Sequence, residues 1–459
     1  MSIFYYGAAT AAFQIEGGVA EGGRGASIWD TMCRRPGAIF TGENADISCD
    51  HFHRWEEDIR WLKKLGANAY RFSISWSRIL PDGKTVNPQG IEFYQRLCRS
   101  LRQNGIEPFV TLYHWDLPQA LEDRGGWTNR ETVSAFRHYA ETVIPALTPD
   151  VRHWMTLNEP WCSAVFGYYQ GVQAPGRKES PAAVADVIHH LLLAHGYGVR
   201  TVRQEGASDS EVGIVLNPVA SYPATPSEVD RAACEQCWRD ENDWWLEPLY
   251  HGEYPIGGWR NLYDARPHIE QGDMALIAEP CDFLGLNLYS AMAVSCDWGA
   301  PLGWRADLPA GRPSLGGMPF VPEAIHDTVT KIHEQYQVEK IYIAENGVPG
   351  ANEVPGLDGM VHDPGRVEYL RLVFEQLERL RRNNVPLAGY FVWTLMDNFE
   401  WIWGYSRPFG LISVDFKGNQ DRTPKESFYY YRDYIANRRM CETPLEATYS
   451  KRQEPVDCL

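Results

Sequence analysis

Eight short apolar segments rich in β-forming residues alternate with longer amphipathic stretches, and this alternation restricts the fold more than any other feature. Strands are expected at 4–9, 67–74, 107–113, 151–157, 212–217, 282–288, 340–344 and 387–394. Helices are expected at 56–65, 91–104, 132–144, 182–205, 230–249, 322–335, 366–383 and 428–437. The stretch 56–65 shows the logic: its apolar residues fall at helical spacing, and Gly66 then stops it. Strands separated by helices run parallel through right-handed crossovers. Eight such units without a linker point to an α/β fold, a (β/α)8 TIM barrel, with 1–440 as one domain and 441–459 as a polar tail. An open doubly wound sheet would need a Gly-x-Gly-x-x-Gly between a strand and a helix, and none is present. Two Gly- and Pro-rich stretches, 254–272 and 295–322, read as ordered loops over the C-terminal face.

Composition removes several partner classes. Lys plus Arg is 43 and Asp plus Glu is 60, a net charge of −17, which repels nucleic acid and anionic membranes. No apolar run reaches membrane-spanning length. The start of the chain lacks a basic segment followed by a long apolar one, so no secretory signal is expected. Ten scattered cysteines fit reduced thiols in a cytoplasmic protein. Cys234 and Cys237 form the one Cys-x-x-Cys, with no second pair or nearby His. His51-x-His53 and His189-His190 are the close His pairs and read as helix and loop residues, so neither metal nor cofactor is expected. The 17 Trp and 24 Tyr suit a site that stacks on sugar rings, although a large core also buries aromatics.

In such a barrel the chemistry sits where strands end. Gln14 follows the first strand and Arg71 lies on the second. The third ends at His114-Trp115-Asp116, the fourth at Asn158-Glu159-Pro160, and the sixth at Asn287-Leu288-Tyr289. The seventh ends at Glu345-Asn346-Gly347 and the eighth at Trp393, with Glu400-Trp401 close behind. Any one of these could merely cap a helix. Carboxylates, amides, an imidazole and indoles on seven of eight strand ends imply one polar rim. Glycoside cleavage with retention needs one carboxyl to protonate the leaving oxygen and an ionised one about 5 Å away to attack the anomeric carbon. Glu159 and Glu345, on strands that face each other across the mouth, are the candidate catalytic pair, and Arg71 could keep Glu345 ionised.

At these residues the chain resembles glycoside hydrolase family 1, from about Phe4 to about Ile435. The resemblance rests on Phe13-Gln14-Ile15-Glu16-Gly17, on Tyr70-Arg71-Phe72-Ser73-Ile74-Ser75-Trp76, on Thr156-Leu157-Asn158-Glu159-Pro160, on Ile343-Ala344-Glu345-Asn346-Gly347 and on 393–401. It implies a retaining β-glycosidase, with terminal β-D-glucosyl residues the foremost substrate. Glu159 would be the acid/base and Glu345 the nucleophile. Asn158 would bond the sugar 2-hydroxyl. Gln14, His114, Glu400 and Trp401 would hold the 3-, 4- and 6-hydroxyls. Trp393 would form the stacking floor, and Tyr289 would bond Glu345. Trp115 and Asn287 belong to the same binding set. Ala344, Asp397 and Pro408 stand where the family commonly has Thr, Glu and a basic residue. Three rivals remain: a 6-phosphoglycosidase, which a carboxylate at Glu400 would disfavour; a catalytically dead sugar binder; and an inverting hydrolase with more widely spaced carboxyls.

Overall fold

A computed structural model of the chain describes residues 3–256, 262–350 and 353–442. All eight expected strands form: β1 (Tyr5–Ala9), β2 (Ala69–Ser73), β3 (Glu107–Tyr113), β4 (His153–Asn158), β5 (Glu211–Leu216), β6 (Phe283–Asn287), β7 (Ile341–Asn346) and β8 (Leu387–Trp393). Each pairs in parallel with its neighbours in chain order, and β1 pairs with β8, from Tyr5 opposite Gly389 to Ala9 opposite Trp393. The sheet is therefore a closed (β/α)8 TIM barrel with no free edge.

Eight helices cover it: α1 (His51–Leu65), α2 (Pro88–Gln103), α3 (Glu131–Leu147), α4 (Pro181–Glu205), α5 (Glu228–Trp238), α6 (Glu323–Tyr336), α7 (Pro364–Arg382) and α8 (Glu426–Glu442). Their ends follow local chemistry. Gly66 closes α1 at φ +77°, its N–H turned back to the carbonyls of Leu62 and Lys63. Asn87 and Ser180 cap α2 and α4 through side-chain oxygens, each followed by a proline at the first helical position.

The lower barrel interior is an aromatic plug. Phe109 stacks on His153 with ring centroids 4.1 Å apart and also touches Tyr5, Tyr342 and Phe391. Gly7 on β1 makes room for it, since a Cβ there would lie 2.6 Å from the Phe391 ring. The plug fills the lower barrel axis and leaves the upper strand ends to line a central cavity.

Four details depart from the sequence reading. The helix expected over 230–249 is broken: α5 stops at Trp238, a π-helical turn spans Arg239–Asp243, and a second helix runs Trp244–Tyr250. Tertiary bonds hold the extra residue in that turn, Asp240 accepting from the Trp304 indole at 2.8 Å and Asn242 pairing with the backbone of Val219. The stretch 295–322 is not plain loop. Met292–Cys296 and Trp304–Asp307 join Ser221–Pro223 in a three-stranded sheet, and Ser314–Leu315 pairs with Met318–Pro319 across Gly316 and Gly317. A π-helical segment, Cys162–Tyr169, follows β4 unannounced. His51 and His53 lie inside α1, which begins ahead of the expected 56, with His51 bonded to Asp58, while His189 and His190 lie in α4 as the expected helix implies. The stretch 254–272 is described only in part, and the tail beyond 442 lies outside the described residues. Among the described residues no helix is long and apolar enough to cross a membrane, and no group of His, Cys, Asp and Glu could hold a metal ion. Eight cysteines, Cys234 and Cys237 among them, are free thiols.

Candidate active site

The C-terminal ends of the strands surround a cavity of about 440 Å³. Its wall includes His114, Trp115, Glu159, Tyr289, Glu345, Trp393, Glu400 and Trp401, so eight of the residues singled out in the sequence share one space. The remaining four, Gln14, Arg71, Asn158 and Asn287, lie directly behind that wall, buried and bonded to it.

One hydrogen-bonded chain connects the two carboxyls. Arg71 Nη1 donates to Glu345 Oε1 at 2.5 Å, and Tyr289 Oη donates to Glu345 Oε2 at 2.6 Å. Arg71 Nη2 donates to Asn158 Oδ1 at 2.6 Å, and the same oxygen accepts from Asn287 Nδ2 at 3.0 Å. Asn287 Nδ2 also donates to Glu159 Oε1 at 2.6 Å. Four strands, β2, β4, β6 and β7, thus fix the relative placement of Glu159 and Glu345. Arg71 has no exposed side-chain surface. Removing one partner of a buried ion pair costs roughly 3–5 kcal/mol, so Arg71 supports the barrel as well as the site.

The environments of the two carboxyls differ. Glu345 has a guanidinium against it. Glu159 has none, and burial, reinforced by the charge of Glu345, raises it to about 7. The chain there adopts φ +43° at Glu159, a left-handed conformation that is strained for a non-glycine residue. Its side chain bonds the Asn287 amide and the Cys162 thiol rather than a backbone N–H of the segment that follows, so it is not a helix cap.

Around the pair, the other side chains are held and aimed. Asn158 Nδ2 lies 3.1 Å from His114 Nε2, and burial keeps His114 neutral. If Asn158 donates there, His114 carries its proton on Nδ1, which is buried without a partner. Gln14 spends its amide N–H groups on Glu400 Oε2, Asn398 Oδ1 and the Phe399 carbonyl, leaving Oε1 buried and unpaired. Asn287 Oδ1 is unpaired as well. Two acceptors and a donor that lack protein partners therefore lie in or directly behind the cavity wall, the donor on His114 within it. Trp401 is wedged among Phe13, Trp29 and Trp115, while Trp115 gives its indole N–H to the Asn158 carbonyl at 2.9 Å and so braces the site.

Glu400 changes one sequence argument. Burial, with Glu345 adding to it, raises Glu400 to about 8. A carboxyl shifted this way repels a sugar phosphate less than an ordinary carboxylate and, when protonated, both donates and accepts toward a hydroxyl.

Comparison with known proteins agrees with this architecture. The model of the family described as Glycosyl hydrolase family 1 matches residues 2–440. The chain belongs to glycosyl hydrolase family 1. This family 1 member is 42% identical to β-glucosidase A of Thermotoga maritima over 95% of its own length and 97% of the relative's. It is 41% identical to a β-glucosidase of an Agrobacterium species, with 93% of each chain covered. The solved structure of the family 1 β-glucosidase from Thermotoga maritima superposes with a TM-score of 0.90, at 40% identity over 95% of this chain and 97% of that one. The family 1 β-glucosidase from Exiguobacterium antarcticum gives 0.90 at 37% identity, with 95% and 98% covered.

Several wall residues of this family 1 chain escaped the sequence reading. Leu308 and the Gly316–Gly317 hairpin with Met318 and Pro319 bring the 295–322 segment to the mouth, on the C-terminal face where it was expected. Trp403, Arg407 and Phe409 extend the wall beyond Glu400. Cys162 places its thiol 3.0 Å from Glu159 Oε2. Its signal was its position three residues past Glu159 at the head of a helical segment, where side chains of i and i+3 meet.

Proposed function

We propose that this chain is a retaining β-glucosidase that removes terminal non-reducing β-D-glucosyl residues, with Glu345 as nucleophile and Glu159 as acid/base. The observation that carries the reading is the unequal treatment of two carboxyls on one cavity: Glu345 is paired with Arg71, and Glu159 is buried without a cation and held protonated to about pH 7.

In the first step a Glu345 oxygen attacks the anomeric carbon as the bond to the leaving oxygen breaks. Glu159 gives its proton to that oxygen, the aglycone departs as an alcohol, and a covalent glycosyl-enzyme remains. In the second step Glu159, now a carboxylate, takes a proton from water. The resulting oxygen attacks the same carbon, Glu345 leaves as a carboxylate, and Glu159 ends protonated. Two inversions give net retention. Asn158 and Asn287 hold the link between the carboxyls. Gln14, His114, Glu400 and Trp401 bind the outer hydroxyls, and Trp393 supports the ring. These partners are small glycosides, and no step calls for a cofactor. The scattered spacing of the cysteines supports a cytoplasmic setting.

A nitrophenyl glycoside panel followed by NMR tests the reading. Unphosphorylated β-glucoside is expected to turn over, with β-glucose as the first-formed anomer. First-formed α-glucose means an inverting enzyme, and turnover confined to the 6-phosphate means a phosphoglycosidase. The pH profile should also be one-sided near neutrality. Because Glu159 must carry a proton to act, kcat/KM is expected to hold below its raised value and to fall as pH rises through about 7.

A further inference from the structure

The strand-end residues noted in the sequence left β5 without a part in the site, and the structure supplies one. Asn217, directly after β5, points its amide Nδ2 at Cys162 Sγ, 3.7 Å away. Cys162 Sγ in turn lies 3.0 Å from Glu159 Oε2. The amide N–H can only donate, so the sulfur accepts from Asn217 and its own proton is directed at the carboxyl. Cys162 is buried, and its thiol is pushed well up by burial and by the charge of Glu159, so it stays protonated and keeps donating.

The structure assigns Cys162 as a positioning residue that, oriented by Asn217, donates its thiol hydrogen bond to the Glu159 carboxyl and helps set the pH at which that acid gives up its proton. The assignment rests on the reading of Glu159 as the acid. Each carboxyl oxygen then has one protein donor, Asn287 on Oε1 and Cys162 on Oε2. The other charged or titratable groups facing Glu159 are Glu345 on β7, Arg71 on β2, Tyr289 beyond β6 and Glu400 beyond β8. Glu345 raises its proton affinity and Arg71 lowers it, whereas Cys162 acts on it through a donor that can be exchanged without altering any charge. A donor to a carboxylate favours the ionised form. The bond therefore lets Glu159 release its proton in the first step and remain an effective base in the second.

The test is the alkaline limb of kcat/KM on phenyl β-glucoside for Cys162→Ala, Cys162→Ser, Asn217→Ala and Glu159→Gln. Loss of the thiol removes a stabiliser of the carboxylate, so Cys162→Ala should move the limb upward by about half a pH unit, the scale of one weak hydrogen bond. Cys162→Ser, with a stronger donor, should return the limb to the parent position or below it. Asn217→Ala should shift it upward by less than Cys162→Ala. A purely structural role would lower the melting temperature or kcat at every pH and leave the limb in place. An unmoved limb in Cys162→Ala, or Ala and Ser displaced equally in one direction, overturns the assignment. In Glu159→Gln the limb should vanish from the residual activity. If it persists there, the acid itself has been misassigned; if it vanishes there but stays fixed in Cys162→Ala, only the thiol's part fails.

Discussion

Glu345→Ala is expected to lose turnover of nitrophenyl β-glucoside by a factor on the order of 10⁴ to 10⁶, the scale seen when a covalent nucleophile is deleted. The loss has a specific chemical signature. The alanine leaves space beside the anomeric carbon, while Arg71 and Tyr289, which now bond the Glu345 oxygens, remain in place. Added azide should enter that space, attack once and be released as α-glucosyl azide, restoring consumption of substrates whose leaving group departs readily. Recovery of β-azide, or no response to azide in a variant that folds and binds a sugar-like inhibitor, would remove Glu345 from the nucleophile's role. Arg71 loses its charge partner in this variant, so a fall in melting temperature should accompany the kinetic loss.

Glu159→Ala should produce a different pattern. General acid catalysis contributes about 10² to 10⁴ in rate, and most where the leaving group is a poor one. Alkyl glucosides and cellobiose should therefore lose activity near the top of that range. A dinitrophenyl glucoside, which departs unaided, should lose much less in its first step and then accumulate glycosyl-enzyme, because the second step also lacks its base. The signature is a burst of dinitrophenol followed by slow turnover. The descent of activity through about pH 7 should disappear at the same time, since the group responsible has gone. Equal losses on good and poor leaving groups would contradict the assignment.

The barrel was legible because a parallel sheet covered by helices imposes a period on the sequence, and Gly66 marks a helix end by local chemistry that needs no partner elsewhere. The polar rim was legible because a closed barrel leaves few places for Glu159, Glu345 and Arg71 except the strand ends. What stayed hidden depends on contacts between distant segments. The break after Trp238 is held by Trp304 and Val219, each remote in sequence. The strand at Trp304–Asp307 belongs to a sheet that Met292–Cys296 completes with the remote Ser221–Pro223. The upward shift of Glu400 comes from its enclosure in the assembled cavity and from Glu345 nearby, which no motif expresses. Cys162 could be suspected from its spacing, but the orienting amide of Asn217 is 55 residues away.

The closure of β1 against β8 also has a temporal meaning. Gln14, from the opening of the chain, reaches Glu400 and the Phe399 carbonyl, while Thr394 bonds the Ala9 carbonyl at 2.6 Å. During synthesis the sugar pocket therefore has no complete wall until the ribosome has released the last stave, so a nascent or truncated polypeptide ending before Leu387 can neither zip its seam nor recognise glucose. Cut between staves seven and eight, the two pieces should be inert apart and regain hydrolysis only when mixed.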